Sequence, residues 1–269
     1  MERTLYDLAP ATRWVGRRMD IHDEVDSTNL IAETLAGLGV PEGTLVVADR
    51  QTAGRGRMGR SFFSPGGSSI YMSLVLRPDC RAEDLHMHVF AAAVAVAETA
   101  APLLSHGAVE IKWPNDVLLG GRKTSGINLP ARLNGQGVEF AVLGIGVNIN
   151  TQLADFPPEL HEIATSLRIA SGREIDRIGF AEALLARLEQ EIERMRSEGF
   201  KSVLDCWRRY FRMAGARVRI GGPGVSEIVE GVVQGIDEQG ALLLSVGSGS
   251  RVRIERIIAG DVTLLRSEG

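Results

Sequence analysis

"GRGRMGRSFFSPGGSS", residues 54–69, begins with three glycines and three arginines in seven positions. Gly54, Gly56 and Gly59 satisfy G-x-G-x-x-G, the spacing that in dinucleotide-binding folds follows a strand and opens a helix on a pyrophosphate. The second half of the stretch decides against that fold: Pro65, Gly66 and Gly67 sit where the helix would have to start. Asp79 stands at about the distance a ribose-binding acid would need, yet nothing in between supports it. A lone arginine cluster is ordinarily a solvated surface loop. Here, glycines let backbone N–H groups approach an anion closely, and alternating arginines can grip a phosphate or carboxylate in bidentate fashion. The stretch alone favours an anion-binding loop and leaves the anion unnamed.

Outward from this loop, the chain alternates helical and strand signals. "TNLIAETLAGLGVPEG" (28–43) has apolar residues at helical spacing that end at Gly39 and Pro41, and "TLVVA" (44–48) reads as a buried strand. A second strand is expected over 68–78, then a long helix over 82–104 with acids in its first turn. Three strands follow, Val109 to Lys112, Lys123 to Leu129 and Val138 to Val147, and then helices near 159–170, 176–196 and 200–212. From Ala216 to Leu265 short Val/Ile/Leu runs separated by Gly pairs are spaced like a small antiparallel barrel. The pattern predicts an α/β (α+β) domain over 1–214 and a small β domain over 215–269.

With 269 residues, 44% hydrophobic and 24% charged, the chain has an ordinary globular composition. A net charge of −4 argues against bulk nucleic-acid binding but allows a local basic site. The longest uncharged apolar run, Val89 to Ala97, is far too short for a bilayer, and the N-terminus lacks a secretory core, so a cytoplasmic protein without membrane association is expected. Cys80 and Cys206 show no paired spacing, and His86 and His88 point to different sides of a helix, so neither pair suggests a metal site.

Four further stretches accompany the arginine loop: "DSTN" (26–29), "IKWPND" (111–116), "GRK" (121–123) and "GIGVNIN" (144–150). In this order and spacing the chain resembles the biotin protein ligases, the biotin–[biotin carboxyl carrier] ligase family. The resemblance runs from about Asp23 to the end, including the tail "GIDEQGALLL…IIAGDVTLL". It implies a mixed-sheet catalytic domain related to the class II synthetase and lipoate ligase folds, followed by an SH3-like barrel. It implies ATP-dependent joining of biotin to AMP and transfer of biotin to a lysine of the biotin carboxyl carrier domain of a carboxylase. The 25 residues before Asp26 are too few for a three-helix DNA-reading domain, so a monofunctional type without specific DNA binding is expected. A homodimer is left open. The competing readings are a lipoate or octanoate ligase-like acyltransferase, disfavoured by "GRGRMGR" with "KWPND", and a biotin-sensing binding protein.

Carried over residue by residue, the resemblance implies that Ser27, Thr28, Asn29 and Gln51 meet the biotin head, whose ureido group offers a carbonyl acceptor and two N–H donors. The plainer reading of Ser27 to Asn29 is a helix cap. Arg55, Gly56 and Arg57 would fold over the biotin carboxylate and the adenylate phosphate, with Lys112 and Lys123 adding charge; Lys123, Arg57 and Lys112 are the expected catalytic groups. Bringing two anions together requires cations that offset their repulsion. Phe62, Asn115, Asp116 and Asn148 are expected at the nucleotide, with Asp116 as a Mg²⁺ ligand. Relatives commonly carry Trp where this chain has Phe62, and "TSGINLP" (124–130) departs from an apolar strand ending in an acid by placing Pro130 there.

Overall fold

A computed structural model describes residues 3–265 apart from 106, 136, 223–226 and 248–251. Its main sheet starts with a parallel pair, β1 (Arg18–Val25) and β2 (Thr44–Gln51), joined through helix α1 (Thr28–Gly37). A parallel pair needs such a crossover, because a tight turn can join only antiparallel neighbours. The sheet then continues antiparallel through β3 (Ile70–Leu76), β8 (Gly137–Val147), β6 (Arg122–Asn128), β5 (Asp116–Leu119) and β4 (Val109–Lys112).

Alternate residues on these strands build two different faces. On one face Leu45, Val47, Met72, Leu74, Leu143 and Ile145 join the large core. Helix α2 (Met87–Ala100) covers that face, with α4 (Arg177–Glu198) and α5 (Phe200–Arg208) packed against α2. Residues Ala91–Ala97 of α2 are completely buried, as expected of a helix that is apolar all round. On the other face α1 alone packs, setting Ala32 and Ala36 against Val46, Val75 and Val142. Beyond the end of α1 this face is open, and the site lies there.

Pro130 explains a break in the sheet. β7 (Ala131–Asn134) pairs with the first half of β8, and its Ala131 and Arg132 keep the register in which β6 pairs with the second half before it shifts by one at Leu133. Leu129 and Pro130 interrupt what would otherwise be one strand, because proline has no N–H to give the ladder. Its carbonyl still accepts from Val142 N at 2.9 Å.

The C-terminal strands β9 (Arg217–Gly221), β10 (Val229–Ile236), β11 (Leu242–Val246), β12 (Arg253–Ile257) and β13 (Asp261–Leu264) form a separate antiparallel sheet in the order β12-β11-β10-β9-β13. Val218, Ile220, Val233, Leu244 and Val262 of this sheet belong to the same apolar cluster as the main core. The β10–β11 turn is fastened across the junction: Trp113 Nε1 donates to the Gly240 carbonyl at 2.9 Å, and His86 Nε2 lies 2.7 Å from the Gln239 carbonyl.

Several expected elements differ. The helix expected over 82–104 divides into a 3₁₀ turn at Ala82–Asp84, α2, and a second 3₁₀ turn at Ala101–Leu103 with Pro102 inside. Glu83 and Asp84 therefore sit ahead of α2 and not in its first turn. In place of a helix near 159–170 there are 3₁₀ turns and the short α3 (Leu167–Ser171), and α5 stops at Arg208. Strands β1, β5 and β7 were not anticipated; β7 is exposed throughout and carries little apolar signal. Among the described residues no helix is long and apolar enough to cross a membrane.

Candidate active site

The open end of the sheet holds a cavity of about 340 Å³ whose floor is backbone. Two cross-strand rows form it: Gly144 and Asn128, in line with the fully buried Ser73, and Tyr71, Gly146, Gly126, Asp116 and Lys112 in the next. Glycines in the middle of a sheet cost stability, so their placement calls for a close neighbour. A methyl on Gly146 would come within 2.7 Å of the Phe62 ring, and one on Gly126 within 3.0 Å of Lys123 Nζ.

Lys123 reaches the cavity because of a bulge. The β5–β6 register shifts between Val117 and Leu118, leaving Thr124 unpaired in the β5–β6 ladder, so that Lys123 shares a face with Gly126. Its Nζ lies 2.7 Å from Asp116 Oδ1 and 6.0 Å from the centre of the Phe62 ring. Lys112 lines the same wall; burial lowers its amine pKa, with Lys123 and Arg60 adding to the shift while Asp116 and Asp261 oppose it. Trp113 and Pro114, joined by a cis peptide, continue the wall.

The arginine loop forms the roof. Residues Arg57–Gly59 make one 3₁₀ turn, closed by Arg60 N donating to the Arg57 carbonyl at 3.2 Å, and Gly56 N donates across the loop to the Arg60 carbonyl at 2.8 Å. Arg57 Nη1 donates to Asn115 Oδ1 at 2.9 Å, and Asn115 Nδ2 donates to the Ile127 carbonyl at 2.7 Å, which fixes the sense of that amide. Burial lowers the Arg57 pKa, against the pull of Asp261 and Asp116. Arg60 pairs with Asp261, and Asp261–Leu264 of β13 complete the wall. Five cations (Arg55, Arg57, Arg60, Lys112 and Lys123) thus face two acids, Asp116 and Asp261.

At the far end the groups are neutral and polar. Thr28 N and Oγ1 lie 2.9 and 3.1 Å from Gln51 Oε1, and Gln51 Nε2 donates to Ser64 Oγ at 3.0 Å. Ser27 occupies the N-cap position of α1 by its backbone, but its hydroxyl makes no cap bond. That hydroxyl is buried and has no hydrogen-bond partner among the described residues.

Of the residues singled out by sequence, the cavity is lined by Thr28, Asn29, Gln51, Arg55, Gly56, Arg57, Phe62, Lys112, Asn115, Asp116 and Lys123. Ser27 and Asn148 are not on the lining. Asn148 is buried behind it, where its backbone N–H donates to the Thr124 carbonyl at 2.8 Å and its Nδ2 to the Thr165 carbonyl at 3.0 Å. Its geometry is that of a clamp on the bulge beside Lys123. Sequence reading missed Ser73, Asn128 and Asp261; only the position of Asn128 inside the departing "TSGINLP" stretch gave any signal.

The model described as "Biotin/lipoate A/B protein ligase family" matches residues 23–148, and "Biotin protein ligase C terminal domain" matches 215–265. The chain is 39% identical over 256 residues to the bifunctional ligase/repressor BirA of Bacillus subtilis, covering 94% of this chain and 76% of that one. It is 35% identical over 272 residues to the biotin–[acetyl-CoA-carboxylase] ligase of Mycobacterium tuberculosis, covering 98% and 96%. The structure of biotin protein ligase from Aquifex aeolicus in complex with biotin and ATP superposes with a TM-score of 0.76 at 30% identity, covering 93% of this chain and all of that one. With a mixed sheet carrying the arginine loop, a glycine floor and a C-terminal antiparallel sheet, this chain belongs to the biotin protein ligase family.

Proposed function

We propose that this protein is an ATP-dependent biotin protein ligase that makes biotinyl-5′-AMP and passes the biotinyl group to a lysine of a biotin carboxyl carrier domain. The observation that carries the reading is the polarity of one cavity: neutral donors and acceptors at Thr28, Asn29 and Gln51 give way to five cations across a glycine floor. A molecule with a ureido head and a carboxylate tail matches that gradient. In the first step the biotin carboxylate oxygen attacks the α-phosphorus of ATP, and pyrophosphate leaves with the electrons of the broken P–O bond. In the second the neutral carrier amine attacks the acyl carbon, the acyl C–O bond breaks with its electrons leaving on AMP, and the new amide nitrogen gives up one proton to solvent.

In this mechanism Lys123, Arg57 and Lys112 are the catalytic residues. Lys123 is held by Asp116, Arg57 by Asn115, and Lys112 sits against Trp113, where exclusion of water strengthens its field. Arg55 and Gly56 close over the carboxylate, and Phe62, Asn115 and Asp116 serve the nucleotide. Ser27 offers its unspent hydroxyl from behind Thr28, and Asn148 contributes through the Lys123 bulge. Among the described residues no cluster of three or more His, Cys, Asp or Glu forms a metal cage. The Asp116 carboxylate fits a Mg²⁺ that keeps phosphate and water as its other ligands, and such an ion would neutralise charge on the phosphates. We assign the catalytic domain to 1–214 and an SH3-like barrel to 215–269, and place the protein in the cytoplasm.

Biotin-dependent exchange of labelled pyrophosphate into ATP, followed by biotin labelling of a carrier domain, is the test. Exchange that requires biotin and Mg²⁺ is expected. Exchange driven by lipoate or octanoate in place of biotin would overturn the assignment, and retention of biotin without exchange would leave a binding protein.

A further inference from the structure

Asn128 ties the arginine loop to the sheet through an atom that no bound anion would contest. From β6 its Nδ2 donates to the Arg55 carbonyl at 2.9 Å, while its Oδ1 accepts from Asn29 Nδ2 at 2.9 Å. Other ties of the loop, Arg57 to Asn115 and Arg60 to Asp261, run through guanidinium groups. Carboxylate and phosphate oxygens compete for guanidinium groups, since charge-assisted contacts outrank neutral ones. They cannot bind the Arg55 carbonyl, which only accepts, so the loop atom in this bond is not drawn away by an anion.

The same side chain sets the sense of its neighbours. A backbone carbonyl can only accept, so the Asn128 amino group must face Arg55 and its oxygen must face Asn29. Asn29 must then turn its own amino group toward Asn128 and its oxygen toward Ser73, whose hydroxyl lies 2.7 Å away. With its one hydrogen given to Asn29, Ser73 Oγ accepts from Thr28 Oγ1 across 2.8 Å, and Thr28 reaches Gln51 Oε1 through its backbone N–H at 2.9 Å. One run of hydrogen bonds therefore links the loop backbone to the three groups at the neutral end. Gly144 makes room for it: a methyl there would collide with the amide oxygens of both Asn128 and Asn29.

We propose that Asn128 is a positioning residue that couples the two ends of the site, holding the arginine loop down by its backbone and setting the donor–acceptor sense of Asn29 toward the ligand head. The inference rests on the ligase reading above for its kinetic consequences, and on the hydrogen bonds alone for its effect on the loop.

Two variants separate the two bonds. Asn128→Asp keeps an acceptor for Asn29 but has no donor for the Arg55 carbonyl, and Asn128→Leu loses both. In the ligand-free protein, trypsin should cut after the loop arginines about tenfold faster in both variants, as loss of one hydrogen bond implies. Circular dichroism and the thermal midpoint, measured alongside, report whether each variant is folded. Release of preformed biotinyl-AMP should also rise about tenfold in both. The KM for biotin should rise about tenfold in Asn128→Leu and less than about threefold in Asn128→Asp, with kcat for adenylate formation within about threefold of wild type in each. Wild-type rates of tryptic cleavage and adenylate release in both folded variants would overturn the coupling. So would an equal fall in kcat with KM unchanged. A wild-type protein that forms no biotinyl-AMP would instead overturn the functional reading, and the tryptic comparison would still decide whether Asn128 holds the loop.

Discussion

The two faces of the main sheet are made by alternate residues of the same strands, yet they obey different rules. On β8, Leu143, Ile145 and Val147 enter the large core, while Gly144 and Gly146 between them carry no side chain at all. On β3, Met72 and Leu74 are core, and Tyr71 and Ser73 face the cavity side. One face is filled to exclude water; the other is emptied so that a ligand can lie on backbone. A one-residue slip of register would exchange the two, so the stability of the first face specifies the position of the second.

The comparison can be broken from the core side. Leu143→Ala should cost about 2–5 kcal/mol of unfolding free energy, the range for large-to-small changes at fully buried sites. Denaturant titration measures this, and below the transition the variant should keep near-normal KM values, because Leu143 points away from the cavity. From the site side the effect is on rate. Lys123→Ala should slow adenylate formation about 10²–10³-fold, the loss typical of one preorganised electrostatic group, with a much smaller change in biotin affinity and little in stability. Single-turnover kinetics beside biotin titration separate these quantities, and equal losses in both would remove Lys123 from the transition state.

A pH experiment sharpens the contrast by probing the covered face alone. His88 on α2 is buried, and burial pushes its imidazole pKa down to about 4, below the ordinary 6.5. The unfolded chain therefore binds the proton first, so this contribution to stability is present above about pH 6.5 and is lost as pH falls toward 4. Between pH 6.5 and 5 the loss should be about 2 kcal/mol, and urea titrations of His88→Gln should show a correspondingly shallower dependence. The smallest effect concerns the junction. Trp113→Phe removes the hydrogen bond to the Gly240 carbonyl and should cost about 1 kcal/mol, with a modest rise in the KM for ATP because β13 of the C-terminal sheet walls the cavity. An unchanged thermal midpoint would show that the apolar contacts alone hold the turn.

How far the sequence could be read follows from which signals are local. Pro65, Gly66 and Gly67 stand together where a dinucleotide-binding helix would have to open, so the sequence excluded that fold before any packing was known. β2, β3, β4 and β8 were legible because their apolar content exceeds anything a loop would carry. β1 and β7 were not, since edge and exposed strands draw their order from a neighbour's hydrogen bonds. The motif residues Thr28, Asn29, Gln51, Arg55, Arg57, Lys112 and Lys123 line one cavity. Asn148 did not reach the cavity, because it closes a bulge from behind.

By itself, then, the sequence determined the chemistry available to this protein: an arginine-rich loop with glycine freedom, two lysines near Trp113 and Asn115, and a change of pattern near Ala214. Tertiary structure decided which of those groups share a cavity and which way each amide points. In the linear sequence Asn128 is one polar residue of the strand expected over Lys123 to Leu129. It becomes a connector only because β6 pairs with β8 opposite Gly144 while the loop carbonyl of Arg55 arrives from the other side. Hydrogen-bond direction is a property of three groups brought together from distant positions, and no spacing within one segment contains it.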